Sequence, residues 1–340
     1  MMKEYEAVLD RQETVSARLR HLYSSWGFRP YKISRFEEYD LYMRYKSFLK
    51  DERILTFTDT DGKLMALKPD ITLSVVKNCR EEDYPLRVCY LESVFRVPQG
   101  AMGFREILQT GVEAIGRLEE WDHCEVLLLA ALSLRMISPG AWRLDVSDQG
   151  ILSELMKAEG LPEDAGRDLL PLIGAKNRHG VLEECGRLSV SAAFRDQVTA
   201  LMALSGPLSE AAERAMALPL PAPCLEKLAA LKQMGLAAEA LGLKSVCLDF
   251  SVVNDMSYYN GLAFSGFVEG VFVSVLSGGR YDPVLRRMGK SGSAVGFAVY
   301  LDQLSRLFPE ESLPFAAPGK PEGATLAEMA LNRAEGGVGK

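Results

Sequence analysis

From residue 147 to 243 the chain reads as one helix after another, and strand patterns flank that block on both sides, at 55–116 before it and 245–277 after it. The chain thus divides by pattern into 1–146, 147–243 and 244–311. The segments 149–159, 209–216 and 225–241 are rich in Ala, Leu, Glu and Lys, and Gly or Pro separates them. Ahead of the first strands, 3–26 carries Val8, Val15, Leu19 and Leu22 at helical spacing with Gly27 as a stop. Asp59-Thr60-Asp61-Gly62 is a hairpin turn and 119–136 an apolar helix. After the block, strands are expected at 245–253, 261–268 and 270–277, and a helix from 294 closes the core near Phe308. The end, 312–340, is rich in Pro, Gly and Ala and is expected to be weakly ordered.

Composition narrows the function classes. At 340 residues a chain usually holds two domains, and a hydrophobic share of 48% fills a substantial core. The net charge of −7 and the lack of a Lys/Arg cluster argue against a protein that lives on nucleic acid. The six cysteines, at 79, 89, 124, 185, 224 and 247, have no CxxC or CxxH spacing, so neither zinc nor a disulfide framework is expected. His21, His123 and His179 are read as surface or packing residues, which leaves a metal site or a Ser-His-Asp triad with little support. The start, Met1-Met2-Lys3-Glu4-Tyr5-Glu6, is polar and no apolar run approaches membrane-spanning length. A soluble, cytoplasmic protein without metal or cofactor is expected.

Residues able to hold a ligand gather in a few segments. Over 86–116, LRVCYLESVFRVPQGAMGFREILQTGVEAIG, two strand-like runs flank a loop. Arg96 ends the first run, and Gln109, Gly111 and Glu113 share one face of the second, with Gly111 leaving space between two polar groups. That suits a small polar ligand; the alternative is an amphipathic hairpin with solvated charges. In Leu67-Lys68-Pro69-Asp70-Ile71-Thr72, a carboxylate and a hydroxyl two residues apart offer acceptors to an ammonium group. The same pair fits a helix cap ahead of Leu73-Ser74-Val75-Val76, and one residue can serve as both. Tyr258 and Tyr259 make either an aromatic wall for a flat, hydrogen-bonding ring or a core pair. Neighbours on a strand face opposite ways, so Tyr259 alone is expected to reach the pocket directly. Gly278-Gly279-Arg280-Tyr281-Asp282 reads as a tight turn between a strand at 271–276 and a helix near Pro283, or as a ligand contact through Arg280.

Together these segments resemble class II aminoacyl-tRNA synthetases of the histidyl type. The 86–116 hairpin resembles motif 2, and Lys-Pro-Asp-Ile-Thr resembles Arg-Pro-Glu-Gly-Thr, whose acid and hydroxyl hold the substrate's α-amino group. The tyrosines at 258 and 259 match the signature Arg-Gly-Leu-Asp-Tyr-Tyr, and 294–304 resembles motif 3. The resemblance implies an α+β fold, an antiparallel sheet flanked by helices, with 1–146 and 244–311 forming one discontinuous core and 147–243 a helical insertion. It also implies a histidine site at Asp70, Thr72, Arg96, Gln109, Glu113, Tyr258 and Tyr259, with Gly278, Gly279 and Arg280 as a possible pocket turn. The 28–45 segment resembles motif 1, which makes much of the family's homodimer interface, with Ser34 in place of its Pro.

Within the site itself, the amino-acid side is kept and the losses fall on the synthetase's nucleotide side. Asn254 replaces the Arg that stabilises charge during adenylation, and Gln303 replaces the motif 3 Arg that clamps the triphosphate. Val97-Pro98 stands where a basic or polar residue and an adenine-contacting Glu are usual. The chain after the core is too short for an anticodon-binding domain, so tRNA binding is not expected. This pattern resembles that of the regulatory subunits of ATP phosphoribosyltransferase, histidyl-tRNA synthetase paralogues, over roughly 1–310. That resemblance implies a non-catalytic subunit needed for the first step of histidine biosynthesis, a homodimer in a hetero-oligomer with a short-form catalytic subunit, and histidine as feedback effector. The helical block would serve partner contact or shield the pocket. The alternatives are a truncated histidyl-tRNA synthetase or another amino-acid-adenylating ligase, and a scaffold that binds no ligand.

Overall fold

A computed structural model of the protein describes residues 10–49, 53–97, 103–162, 165–253 and 258–306, all within one structural unit that ends at Phe308. Residues 1–9, Pro98, Asn254 and 312–340, on which several expectations fall, lie outside the described residues.

The first helix, α1 (Arg11–Ser25), begins where Asp10 accepts from the Glu13 backbone at 2.7 Å and Glu13 returns the bond at 3.0 Å, a reciprocal cap that satisfies two orphan donors. Gly27, at φ 84°, ends it as expected. Next come β1 (Arg29–Pro30), β2 (Phe36–Glu38), α2 (Tyr39–Arg44), β3 (Thr56–Thr58) and β4 (Leu64–Leu67). The turn at Asp59–Gly62 joins β3 to β4, with Asp59 N–H donating to Lys63 C=O at 2.9 Å. Helix α3 (Ile71–Asn78) leads to the long hairpin β5 (Leu86–Arg96) and β6 (Arg105–Gly116), followed by the apolar helix α4 (Glu120–Ile137) and β7 (Trp142–Asp148).

The helical block holds α5 (Gln149–Ala158), α6 (Ala165–Gly174), α7 (Arg178–Arg187), α8 (Ala192–Ala203), a short β8 (Ser205–Pro207), α9 (Leu208–Met216) and α10 (Ala222–Ala240). The chain then returns to the sheet as β9 (Val246–Asp249), β10 (Leu262–Val268) and β11 (Leu276–Arg280), turns through α11 (Asp282–Arg287), and enters β12 (Ser293–Tyr300).

The main sheet has nine strands in the order β1-β5-β6-β12-β11-β10-β7-β9-β8. Pairing is antiparallel from β5 through β7, as expected, and parallel where β1 and β9 add to it. Strands from both flanks of the helical block therefore interleave. A second sheet, β2-β4-β3, carries three strands.

Two of the expected elements are different in the structure. The segment from 294 is a strand, because Val295, Phe297 and Val299 alternate with the smaller Ala294, Gly296 and Ala298 at period two, and both its edges pair, with β6 and β11. The helical residues follow it, as a short 3₁₀ turn at Leu301–Arg306. Gly278-Gly279-Arg280 is also strand rather than turn: β11 runs later than expected, and Asp282 opens α11.

One apolar cluster joins α1 and α4 to the helical block and to the large residues of β12, among them Leu19, Leu127, Leu201, Leu228 and Phe297. A second lies on the other face, among Tyr42, Val75, Val94, Tyr281 and Ala294. All six cysteines are free, and among the described residues no helix is long and apolar enough to cross a membrane.

Candidate functional site

Directly paired residues in neighbouring strands project to the same face of a sheet, so the register fixes the floor of the site. Three rows result. Val88, Glu113, Gly296 and Gly279 form the first; Tyr90, Gly111, Ala298 and Ser277 the second; Glu92, Gln109 and Tyr300 the third. Small residues at 111, 296 and 298 make a trough, and polar side chains stand at its two ends.

Glycine is needed under this trough for specific reasons. A Cβ at Gly296 would collide with the Glu113 carboxylate and with the Val112 carbonyl at 2.5 Å. A Cβ at Gly279 would lie 2.7 Å from the Tyr259 ring, so that glycine seats the aromatic wall. Gly111 does not leave open space, as the sequence suggested. The Tyr90 hydroxyl, 2.7 Å from where a Cβ would sit, fills it and donates to the Phe297 carbonyl at 3.3 Å.

Above the floor, α3 begins at Asp70, whose Oδ1 accepts from the Leu73 backbone at 2.7 Å. Asp70 is thus both cap and pocket residue, the two roles the sequence left open. Its Oδ2 lies 3.7 Å from Arg96, whose Nε donates to the Pro69 carbonyl at 2.6 Å. Burial raises the Asp70 pKa, and the Arg96 charge opposes that rise. Thr72 Oγ1 donates to Glu113 Oε1 at 2.8 Å and the Tyr281 hydroxyl donates to Oε2 at 2.5 Å. Glu113 is 2% exposed. Burial pushes its pKa up to about 8, against the two hydrogen bonds.

Asp70, Thr72, Arg96, Gln109, Glu113, Tyr258 and Tyr259 all line this one pocket. Both tyrosines reach it, because the chain at 258–259 is not a strand and the alternation rule does not apply; their rings lie 4.7 Å apart at 45°. Gly278, Gly279 and Arg280 are not in the lining. Arg280 instead pairs with Asp282, at 2.8 Å through Nε and 2.7 Å through its terminal nitrogen.

The reading from sequence missed Tyr90, Tyr281, Tyr300 and Ser277, all in the lining. Tyr281 sits inside the quoted Gly-Gly-Arg-Tyr-Asp run, so a signal existed. Tyr90 and Tyr300 could be placed only once their strands were paired with β6. Gln303 donates to its neighbour Asp302 at 3.0 Å, and Arg96 is the one cation lining the pocket among the described residues. The arrangement is a bowl of acceptors and aromatic hydroxyls with one guanidinium. It suits a small zwitterion, and among the described residues its lining lacks the cluster of cations that a triphosphate needs.

A family profile described as histidyl-tRNA synthetase matches residues 5–304. An ATP phosphoribosyltransferase regulatory subunit from Anaeromyxobacter sp. strain K is 30% identical over 297 residues, 85% of this chain and 84% of that one. A protein of the same description from Acetivibrio thermocellus is 25% identical over 313 residues, covering 90% of this chain and 75% of its own length. Among solved structures, an ATP phosphoribosyltransferase regulatory subunit/histidyl-tRNA synthetase from Bacillus halodurans superposes with a TM-score of 0.77 at 26% identity, over 89% of this chain and 79% of that one.

Proposed function

The chain belongs to the histidyl-tRNA synthetase family, on the branch of the ATP phosphoribosyltransferase regulatory subunits, and from that premise we propose that it binds free histidine and reports it to a catalytic partner. It is a regulatory subunit and not itself a catalyst. The relatives' description supports a catalytic ATP phosphoribosyltransferase subunit as the partner; the assembly proposed with it is a hetero-oligomer built on a homodimer of this chain.

The observation that carries the histidine reading is the convergence of Asp70, Thr72, Arg96, Gln109, Glu113, Tyr258 and Tyr259 on one pocket. Asp70 and Thr72 would take the α-ammonium group, Arg96 and Gln109 the carboxylate, and Glu113 with the tyrosines the imidazole. Histidine then inhibits by linkage, shifting the complex only as far as it binds the less active state more tightly, a coupling of about 1–3 kcal/mol.

The homodimer draws support from the small sheet, where Phe36 and Phe57 pack edge to face at 5.6 Å yet stay 46% and 36% exposed. The helical block is proposed to meet the catalytic partner or to screen the pocket.

Calorimetric titration of the full chain with histidine, other amino acids and ATP tests the reading. Histidine is expected to bind and ATP is not. Amino-acid-dependent exchange of pyrophosphate into ATP would overturn it in favour of an adenylating enzyme, and absence of histidine binding would leave a scaffold.

A further inference from the structure

We infer that Tyr300, tethered by Ser277, is the end wall of the pocket and restricts it to amino acids with a free carboxylate, excluding ligands extended at that carboxyl group. The inference deepens the histidine reading and rests on it. Along the pocket face of β12 the residues run Gly296, Ala298, Tyr300, so two small floor positions end abruptly at a large ring. Tyr300 pairs with Gln109 on β6 and therefore stands beside it in the third row. Its hydroxyl shares a 2.6 Å hydrogen bond with Ser277 Oγ on β11.

Ser277 is not level with Tyr300. It pairs with Ala298, one row closer to Glu113. The ring must therefore lean diagonally from β12 toward β11, across the end of the trough, and the hydrogen bond holds it there.

The direction of that end matters. Glu113, with Thr72 and Tyr281 on its oxygens, occupies one end of the trough, and Gln109 lies four residues, or two rows, along β6 toward the Arg96 end of the hairpin. A zwitterion whose cationic groups meet Asp70, Thr72 and Glu113 turns its carboxylate toward Arg96 and Gln109, with Tyr300 immediately behind. A free carboxylate fits there. A larger group on the same carbon meets the ring.

The test compares histidine, its methyl ester and its benzyl ester by calorimetric titration of the full-length wild type, Tyr300→Ala and Ser277→Ala, with thermal unfolding as the check on folding. The two esters share the loss of carboxylate charge, so their affinity ratio reads size alone. Wild type is expected to favour the methyl ester over the benzyl ester by about tenfold or more. Tyr300→Ala should bring that ratio near unity. Ser277→Ala keeps the ring but frees it, and should lower the ratio by about threefold; it decides the matter if Tyr300→Ala does not fold. A ratio unchanged in the folded variants, or no size discrimination by wild type that binds histidine, overturns the inference alone. Failure of wild type to bind histidine overturns the histidine reading and this inference with it.

Discussion

Glu113 should make the binding of a ligand with a fixed positive charge a proton-linked event, and the size of the linkage follows from its surroundings. Burial raises its pKa to about 8 while Thr72 and Tyr281 already engage both oxygens. At about pH 7, roughly nine in ten empty pockets then carry the proton, from the one-unit gap between pKa and pH. A ligand whose ring carries a fixed positive charge favours the ionised carboxylate, so binding it expels about 0.9 proton per site at that pH; histidine, whose ring is mostly neutral there, takes up a proton on the ring that offsets most of that release. For a ligand of constant charge, affinity should rise about fivefold between about pH 7 and pH 8. Titration in two buffers of different ionisation enthalpy counts the proton directly.

Glu113→Gln keeps the shape and removes the titrating group. Proton release should vanish and affinity should fall by about 1–3 kcal/mol. Stability shifts with the same group. Its folded pKa lies above the ordinary 4.5, so the native state holds the extra proton between that value and about 8. Stability therefore falls as pH rises through that window, and the fall is complete above it. Wild type should lose more Tm between about pH 5 and pH 8 than Glu113→Gln does. Equal proton release by wild type and Glu113→Gln, or none by either, would refute the reasoning.

Further predictions rest on packing and pairing. Gly296→Ala drives a methyl into the Glu113 carboxylate and the Val112 carbonyl; it should abolish histidine binding and cost about 1–3 kcal/mol in urea unfolding, and unaltered affinity would remove Gly296 from the site floor. Lys68 is fully buried with Nζ 3.1 Å from Glu92. Lys68→Ala strands that carboxylate and should cost about 3–5 kcal/mol by the same assay, whereas a loss below about 1 kcal/mol would mean the pair contributes little. Replacing both Phe36 and Phe57 with Lys should yield a monomer in sedimentation velocity with circular dichroism retained; a dimer that survives places the interface elsewhere.

The sequence by itself determined the kinds of residue in the pocket and the local elements that carry them. Asp70 and Thr72 could be read because a helix start and an ammonium site ask for the same residue types, and Gln109 and Glu113 because alternation on one strand places both on one face. The change from strand to helical pattern at about 147, and back at about 245, was likewise legible. Those are signals over a few neighbouring residues. Tertiary structure decided what pairs with what. Only the register of β12 between β6 and β11 puts Gly296 under Glu113 and Tyr300 beside Gln109. Only the pairing of β5 with β6 brings Tyr90 into the gap at Gly111. A strand's own pattern gives the face of each side chain, but which distant strand lies beside it depends on burying both apolar faces at once, and that is settled by the whole chain.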